Sequence, residues 1–317
     1  MQQIFYKAHM TSSPETKPMG KITAIGYCDS TINSISGCDG CELWNPKAGV
    51  KDCYAGRLVT RYAGNKGYPP AFNQPTLFIE RIEKACAWSD LTGTRRKNKP
   101  WLDGMPRIIF LNDLSDTFTE SIDPETWLPD ALKQIEKSPH IWLFLTKRAA
   151  KQAVFFGKHN APENVWTGVS VTSKDTLSRL TMLARTISPV RWVSFEPLRS
   201  YVYTTPYLTG FYDDWQPIDW ACIGGGSQMK NDPALGDWAI DLIEQMKKLN
   251  VAVFFKQFGE FAVNPNKQDY TARKLGGDSK GGRLINGKEL TQMPLWKLPW
   301  EILTKIQYAR LTEGSWE

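Results

Sequence analysis

Histidine is scarce: the 317 residues hold three, His9, His140 and His159, and none stands at a metal-binding or catalytic-triad spacing. That points away from chemistry built on imidazole. No apolar run approaches the ~20 residues that a membrane-spanning helix needs. The stretch Met1–Gly20 is polar and has no apolar h-region, so a secretory signal is not expected there. A cytoplasmic location follows as the expectation, with thiols kept reduced and no membrane partner. The chain lacks a Gly-x-Gly-x-x-Gly fingerprint, and no Gly-Lys-Ser/Thr follows its one glycine run, Gly224-Gly225-Gly226-Ser227. Both common nucleotide-binding loops are thereby set aside. Strong charge of either sign is missing too. The net charge of +6 is mild and compatible with a nucleic-acid partner without requiring one.

What the sequence does hold is a cysteine cluster. Cys38 and Cys41 form a Cys-x-x-Cys pair, eleven residues separate Cys41 from Cys53, and Cys28 lies ten residues before Cys38. Reduced thiols at such spacing favour metal over disulfides. Three ligands, Cys38, Cys41 and Cys53, would leave one coordination position open, the mark of a reactive centre. Four ligands, with Cys28 added, would make a closed zinc site. A structural zinc site normally shows two Cys-x-x-Cys pairs, and here there is one, which tilts the reading toward an iron–sulfur cluster. Cys86, in a helical pattern, and Cys222, in an extended run, read as small core residues.

The rest of the chain alternates apolar runs with helical patterns. Extended runs are expected at Ile22–Tyr27, Arg107–Leu111, Ile141–Leu145, Val165–Val169, Arg191–Phe195, Trp220–Ile223 and Val251–Phe255. Helices are expected over Pro75–Trp88, from Asp123-Pro124-Glu125 to about Lys137, over Ser173–Ile187, and from Asp232-Pro233 onward. Such alternation predicts an α/β fold: a parallel (β/α) barrel, complete or partial, with right-handed crossovers. The expected organisation is a polar extension at 1–20, the barrel at 21–261 with the cysteine loop after its first strand, and a C-terminal hairpin-and-helix appendage at 262–317. Asn286-Gly287 between short extended runs marks the hairpin.

Polar residues follow every expected strand: Asn112, Asp113 and Asp116; Lys147 and Arg148; Ser170; Glu196; the glycine run; Lys256 and Gln257. In a parallel barrel these ends converge on one pocket. The glycine run would bring backbone amides close to a ligand. Lys147, Arg148 and Lys256 suit an anionic substrate. The basic stretch Arg95-Arg96-Lys97-Asn98-Lys99 beside Trp101 reads either as a solvated loop or as a phosphate-tracking patch.

Several motifs carry a resemblance: Thr31-Ile32-Asn33 leading to Gly37-Cys38, Cys53-Tyr54-Ala55, Leu145-Thr146-Lys147-Arg148, Trp166-Thr167-Gly168-Val169-Ser170-Val171, Val193-Ser194-Phe195-Glu196-Pro197-Leu198, Ile223-Gly224-Gly225-Gly226-Ser227 and Phe254-Phe255-Lys256-Gln257. In this order they resemble a phage-associated family with a three-cysteine motif, a domain of unknown function. That family in turn looks like a relative of the radical S-adenosylmethionine (SAM) enzymes, although its cysteine spacing differs from their Cys-x-x-x-Cys-x-x-Cys.

The resemblance implies a [4Fe–4S] cluster on Cys38, Cys41 and Cys53, whose open iron takes the amino and carboxylate groups of SAM, and an electron donor for reductive cleavage. It implies that Asn112, Asp113, Ser170, Gly224, Gly225, Gly226 and Ser227 hold SAM. Asp116, Lys147, Arg148, Glu196, Lys256 and Gln257 would line the pocket of a nucleotide or nucleic-acid base that is modified or repaired. Two alternatives stay open: a four-cysteine zinc barrel that binds or hydrolyses nucleic acid, and a non-catalytic phage protein that binds a host factor.

Overall fold

The computed structural model describes residues 19–209, 217–226, 230–272 and 280–311. Seven strands run parallel in sequential order: β1 (Ser30–Ile32), β2 (Ile108–Leu111), β3 (Ile141–Thr146), β4 (Val165–Ser170), β5 (Val190–Phe195), β6 (Trp220–Gly224) and β7 (Ala252–Gln257). Met19–Gly20 pairs antiparallel with the outer edge of β1 and makes the sheet eight-stranded. β1 and β7 are not neighbours in the sheet, so the strands do not close into a barrel.

The sheet is nonetheless tightly curled. The Tyr27 ring lies 6.1 Å from Phe110 on β2 and 5.8 Å from Phe254 on β7. In a flat sheet those two strands would stand about 24 Å apart, five inter-strand spacings. Side-chain alternation then divides the core. Ile108, Phe110, Leu143, Trp166, Trp192, Trp220, Cys222 and Phe254 fill the inside of the curl. Ile109, Leu111, Trp142 and Phe144 face α2 (Glu80–Cys86), α3 (Leu128–Glu136) and α4 (Ala149–Lys158). Val193, Phe195, Ala221, Ile223, Val253 and Phe255 face α5 (Ser178–Ala184) and α6 (Leu235–Lys248). Apolar residues on both faces make the strands read as continuous hydrophobic runs, as buried parallel strands do.

Six of the seven expected strands are present near their expected bounds. Ile22–Tyr27 is not a strand: the first parallel strand begins later, at Ser30, and Cys28 precedes it. The reason lies in how this segment's carbonyls are satisfied. The Lys99 ammonium donates to the carbonyls of Thr23, Ile25 and Cys28 at 2.8, 2.7 and 2.5 Å, and the Trp101 indole donates to Gly26 at 2.9 Å. With side chains taking these bonds, the segment needs no ladder, and its Tyr27 plugs the curled sheet.

The same contacts revise the basic stretch. Arg96 pairs with Asp29 at 3.3 Å, with both side chains buried, and donates to the carbonyls of Met105 and Pro106. Arg96 and Lys99 are therefore internal clamps rather than a solvated loop or a phosphate track.

The expected helices are shorter than their patterns. Thr76–Leu77 pairs with Ile35–Ser36, and α2 starts only at Glu80. Asp123 caps a short 3-10 turn at Pro124–Thr126 before α3. Likewise a 3-10 turn over Lys174–Thr176 precedes α5, and α6 begins at Leu235, beyond Pro233.

In the tail, Leu284–Ile285 pairs with Lys288–Glu289 through Asn286 (φ 49°) and Gly287 (φ 76°). Two positive φ values are what a two-residue hairpin turn needs. The chain then runs antiparallel along the free edge of β7, with Phe255 donating to Leu290 and Gln292 to Val253. The last helix (Trp300–Leu311) packs Ile302 and Ile306 against the apolar interior. No helix among the described residues is long and apolar enough to cross a membrane.

Candidate functional site

Parallel strands bring their C-terminal ends to one side, and there a cavity of about 250 Å³ opens. Its wall contains Cys38, Cys41 and Cys53 together with Asn112, Asp113, Asp116, Lys147, Arg148, Ser170, Glu196, Gly225, Gly226, Lys256 and Gln257. Residues more than two hundred positions apart thus share one surface. Gly224 stands just behind it as the last residue of β6. Ser227 lies outside the described residues. His140 and His159 contribute nothing to the wall, and no described residue beyond Gln257 does either.

The cysteine loop is built by local geometry. Gly40 takes φ 94°, and a Cβ there would lie 2.6 Å from the Trp44 carbonyl oxygen, so only glycine fits between the first two cysteines. Cys41 and Trp44 exchange backbone hydrogen bonds. Trp44–Asn45 then pairs with Val50–Lys51, and the excursion is a hairpin that returns Cys53 beside Leu43, its amide donating to the Leu43 carbonyl at 2.8 Å. Cys53 is the N-cap of α1 (Tyr54–Tyr62).

Backbone amides point at two of the sulfurs. Leu43 donates to Cys41 Sγ and Gly56 to Cys53 Sγ, each at 3.4 Å. The Thr119 hydroxyl stands 4.0 Å from Cys38 Sγ. Hydrogen bonds to sulfur favour the charged thiolate, as around metal-bound cysteines.

The three thiols are electrostatic neighbours. Burial pushes Cys38 up to about 11, Arg148 works against it, and Asp116 and Cys41 add to the rise. Burial also raises Cys41, opposed by Lys147, while Glu42 and Cys53 push the same way. Bare thiolates are disfavoured here, and a metal that displaces their protons would relieve that. Cys28 stands apart: it is fully buried inside the curled sheet, where burial raises its thiol further, and it does not line the cavity. Among the described residues no three metal-ligating side chains converge on a single ion position. A cluster makes a different demand, because each thiolate takes a separate iron.

Asp116 organises the loop's far wall. Its Oδ1 accepts from the Phe118 amide at 2.9 Å and the Thr146 hydroxyl at 2.6 Å; its Oδ2 accepts from the Lys147 amide at 2.9 Å and Arg148 Nη1 at 3.0 Å. Arg148 Nη2 reaches on to the Gly40 carbonyl at 2.9 Å. Burial disfavours the Arg148 charge, yet Asp116 and Cys38 hold its pKa above the ordinary value. Asp116 and Arg148 stand on the cavity wall, as expected, and also brace the cysteine loop.

Three other sets of expected groups stand on the cavity wall and have internal partners as well. Asn112, at φ 63°, accepts from the Ile35 amide at 2.9 Å and donates to Thr117 at 3.0 Å, so its amide ties β1 to β2. The Gly225 amide donates to the Gln257 carbonyl at 2.9 Å, and Gly226 to Asn231 Oδ1 at 2.9 Å. Those amides are not free for a ligand. Gln257 Nε2 donates back to the Gly225 carbonyl at 3.2 Å.

Groups still directed at the cavity are Asp113, Lys147, Ser170 and the Glu196–Lys256 ion pair. Burial pushes Asp113 up to about 6, against the hydrogen bond from Asn33 at 2.7 Å. Lys147 donates to Ser170 at 3.1 Å and makes no ion pair among the described residues. The neutralising role of Glu42 was not visible in the sequence. It is gripped by Arg179 at 3.0 and 2.9 Å and by Thr172 at 3.0 Å, tying the cysteine loop to α5. Burial opposes its charge, but Arg179 and Lys147 bring its carboxyl down to about 2. An acidic residue directly after Cys41 was the only signal.

A family model matches residues 22–294, which holds every strand of the parallel sheet and the whole cavity wall. The chain belongs to the DUF5131 family, described as proteins of unknown function. No curated protein and no solved structure matches it. The DUF5131 match ends shortly before the last helix, so the cysteine loop and the strand ends fall within the shared region and that helix does not.

Proposed function

We propose that this DUF5131 protein is a radical SAM-like iron–sulfur enzyme of the phage three-cysteine type, on a partial (β/α) barrel, acting on a nucleotide or a nucleic-acid base. The observation that carries the reading is the convergence of Cys38, Cys41 and Cys53 on one cavity, two of them with amide N–H groups directed at sulfur. Three thiols on one wall, with Arg148 acting on Cys38 and Lys147 on Cys41, fit a cluster with one open iron. The absence of Cys28 from the cavity wall supports three ligands over four.

When bound, the cluster and SAM would supply one-electron chemistry, with an external electron donor. The protein's part is holding and shielding. Cys38, Cys41 and Cys53 hold the cluster, and Asp116 and Arg148 fix the loop that carries it. Asp113 and Ser170 remain to receive polar groups of SAM, since the amides of Gly225 and Gly226 are already donated. Leu43, Trp44, Phe72, Phe110 and Leu145 form apolar walls that exclude water from a reactive centre. Lys147 supplies positive charge for an anionic substrate.

The test is anaerobic purification with iron and sulfide analysis and a visible spectrum, followed by SAM and a reductant. A brown protein that releases 5′-deoxyadenosine supports the proposal. A colourless protein with one zinc, or an iron-loaded protein that leaves SAM intact, overturns it.

A further inference from the structure

The Glu196–Lys256 pair stands at the ends of β5 and β7, on the cavity wall. One carboxylate oxygen, Oε2, is engaged by the Lys256 ammonium. The other, Oε1, is buried and has no partner among the described residues. The side chain as a whole is 12 % exposed. A buried acceptor left empty is destabilising, more so when charged. Such an atom on a cavity wall asks for a donor from a ligand.

Lys256 has further N–H groups beside that oxygen, and its ammonium sits 5.8 Å above the Tyr27 ring. Glu196 and Lys256 both line the cavity, so a small turn of the Glu196 side chain sets an acceptor next to a donor on its wall. The complementary surface is a donor next to an acceptor, which is what a nucleobase shows along its Watson–Crick edge. A phosphate would be repelled by the free carboxylate oxygen and is better placed by Lys147, which reaches the Glu196 backbone carbonyl through Ser170 at 3.1 and 3.2 Å.

We infer that Glu196 and Lys256 read the base edge of a nucleotide, Glu196 Oε1 accepting a base N–H and Lys256 donating to the neighbouring acceptor, with the phosphate toward Lys147. This rests on the nucleotide reading above and specifies which groups recognise it.

The test uses the full chain, reconstituted anaerobically, with the four ribonucleoside 5′-monophosphates as probes in calorimetry. At least one should bind. Methylating its edge nitrogen, as in 3-methyl-UMP or 1-methyl-GMP, should weaken binding about tenfold or more, as a lost hydrogen bond to a charged group does. Glu196→Ala should give a similar loss with iron content unchanged. The methylated probes keep the test independent of whether that variant folds. Equal binding of the methylated nucleotide, equal binding of ribose 5-phosphate, or no nucleotide binding overturns the inference. Iron content is read separately. A chain without iron whose binding still depends on the base edge removes the cluster and leaves this inference. A chain with iron that ignores the base edge does the reverse.

Discussion

Arg148 lies between Asp116, 3.0 Å from its Nη1, and the Gly40 carbonyl, 2.9 Å from its Nη2. One guanidinium thus joins the end of β2 to the turn between Cys38 and Cys41. Both side chains of the ion pair are about nine-tenths buried. Removing Arg148 leaves the buried Asp116 charge without its cation, which costs about 3–5 kcal/mol; removing Asp116 leaves Arg148 only the more exposed Glu120, at 3.6 Å, among the described residues. Arg148→Met should lower stability by that order and cut iron loading, while Asp116→Asn with Arg148→Met should cost less than the sum of the singles. Denaturant melts of the three variants measure this coupling.

Metal loading separates the cysteines. Replacing Cys38, Cys41 or Cys53 with Ala should abolish or severely lower iron and sulfide content. Cys28→Ala should leave both unchanged and lower stability by about 1–2 kcal/mol through a small internal cavity. Equal iron loss in all four variants would contradict the three-ligand arrangement.

Gly56 is the tightest point under the loop. A Cβ there would stand 2.3 Å from the Trp44 ring. Gly56→Ala should push α1 and its capping residue Cys53 away from Trp44 and reduce iron content, although no ligand is changed. Gly157→Ala, in α4 where a Cβ meets nothing within 4 Å, serves as the space control. Iron analysis of the two variants side by side is the measurement.

Two carboxyls give opposite dependences on pH. Asp113 titrates at about 6 in the fold because of burial, above the usual ~3.9, so stability falls as pH rises through that window and then levels off. Glu42 is brought down to about 2: burial resists this, but Arg179 and Lys147 prevail, so its contribution is lost as pH falls from about 4.5 toward 2. Asp113→Asn should flatten the decline between pH 4 and 6, and Glu42→Gln should remove part of the acid-side loss. Melting temperatures across pH 2–7 test both signs.

Lys99 caps three carbonyls of the segment that carries Tyr27. Lys99→Met should destabilise the protein by about 3 kcal/mol or more, since hydrogen bonds to charged groups contribute ~1.5–3 kcal/mol each and are not additive. It should leave the salt dependence of any nucleic-acid binding unchanged, because this ammonium never meets a phosphate. A smaller slope of log affinity against log salt in the variant would contradict the clamp.

Local pattern determined a good deal. Apolar runs of four or five residues between helical patterns located six of seven parallel strands, because strands buried on both faces have no choice but to be apolar throughout. The polar residues after them were legible as a convergent set, since parallel strands must end on one side. Asn286-Gly287 specified its hairpin because both positions need positive φ. The spacing of Cys38, Cys41 and Cys53 singled them out as a group, and the fold gathers them on one cavity wall.

Only the tertiary structure decided which polar groups were free. Asp116, Arg148, Asn112 and the amides of Gly225 and Gly226 look as reactive in sequence as Lys147 or Glu196, yet each is engaged by a partner that sequence does not reveal. Tertiary contacts also made Ile22–Tyr27 a plug, since a lysine some seventy residues away satisfies its carbonyls. Chain pattern is written by solvent and periodicity, which act locally. The pairing of a particular donor with a particular acceptor depends on where distant segments come to rest.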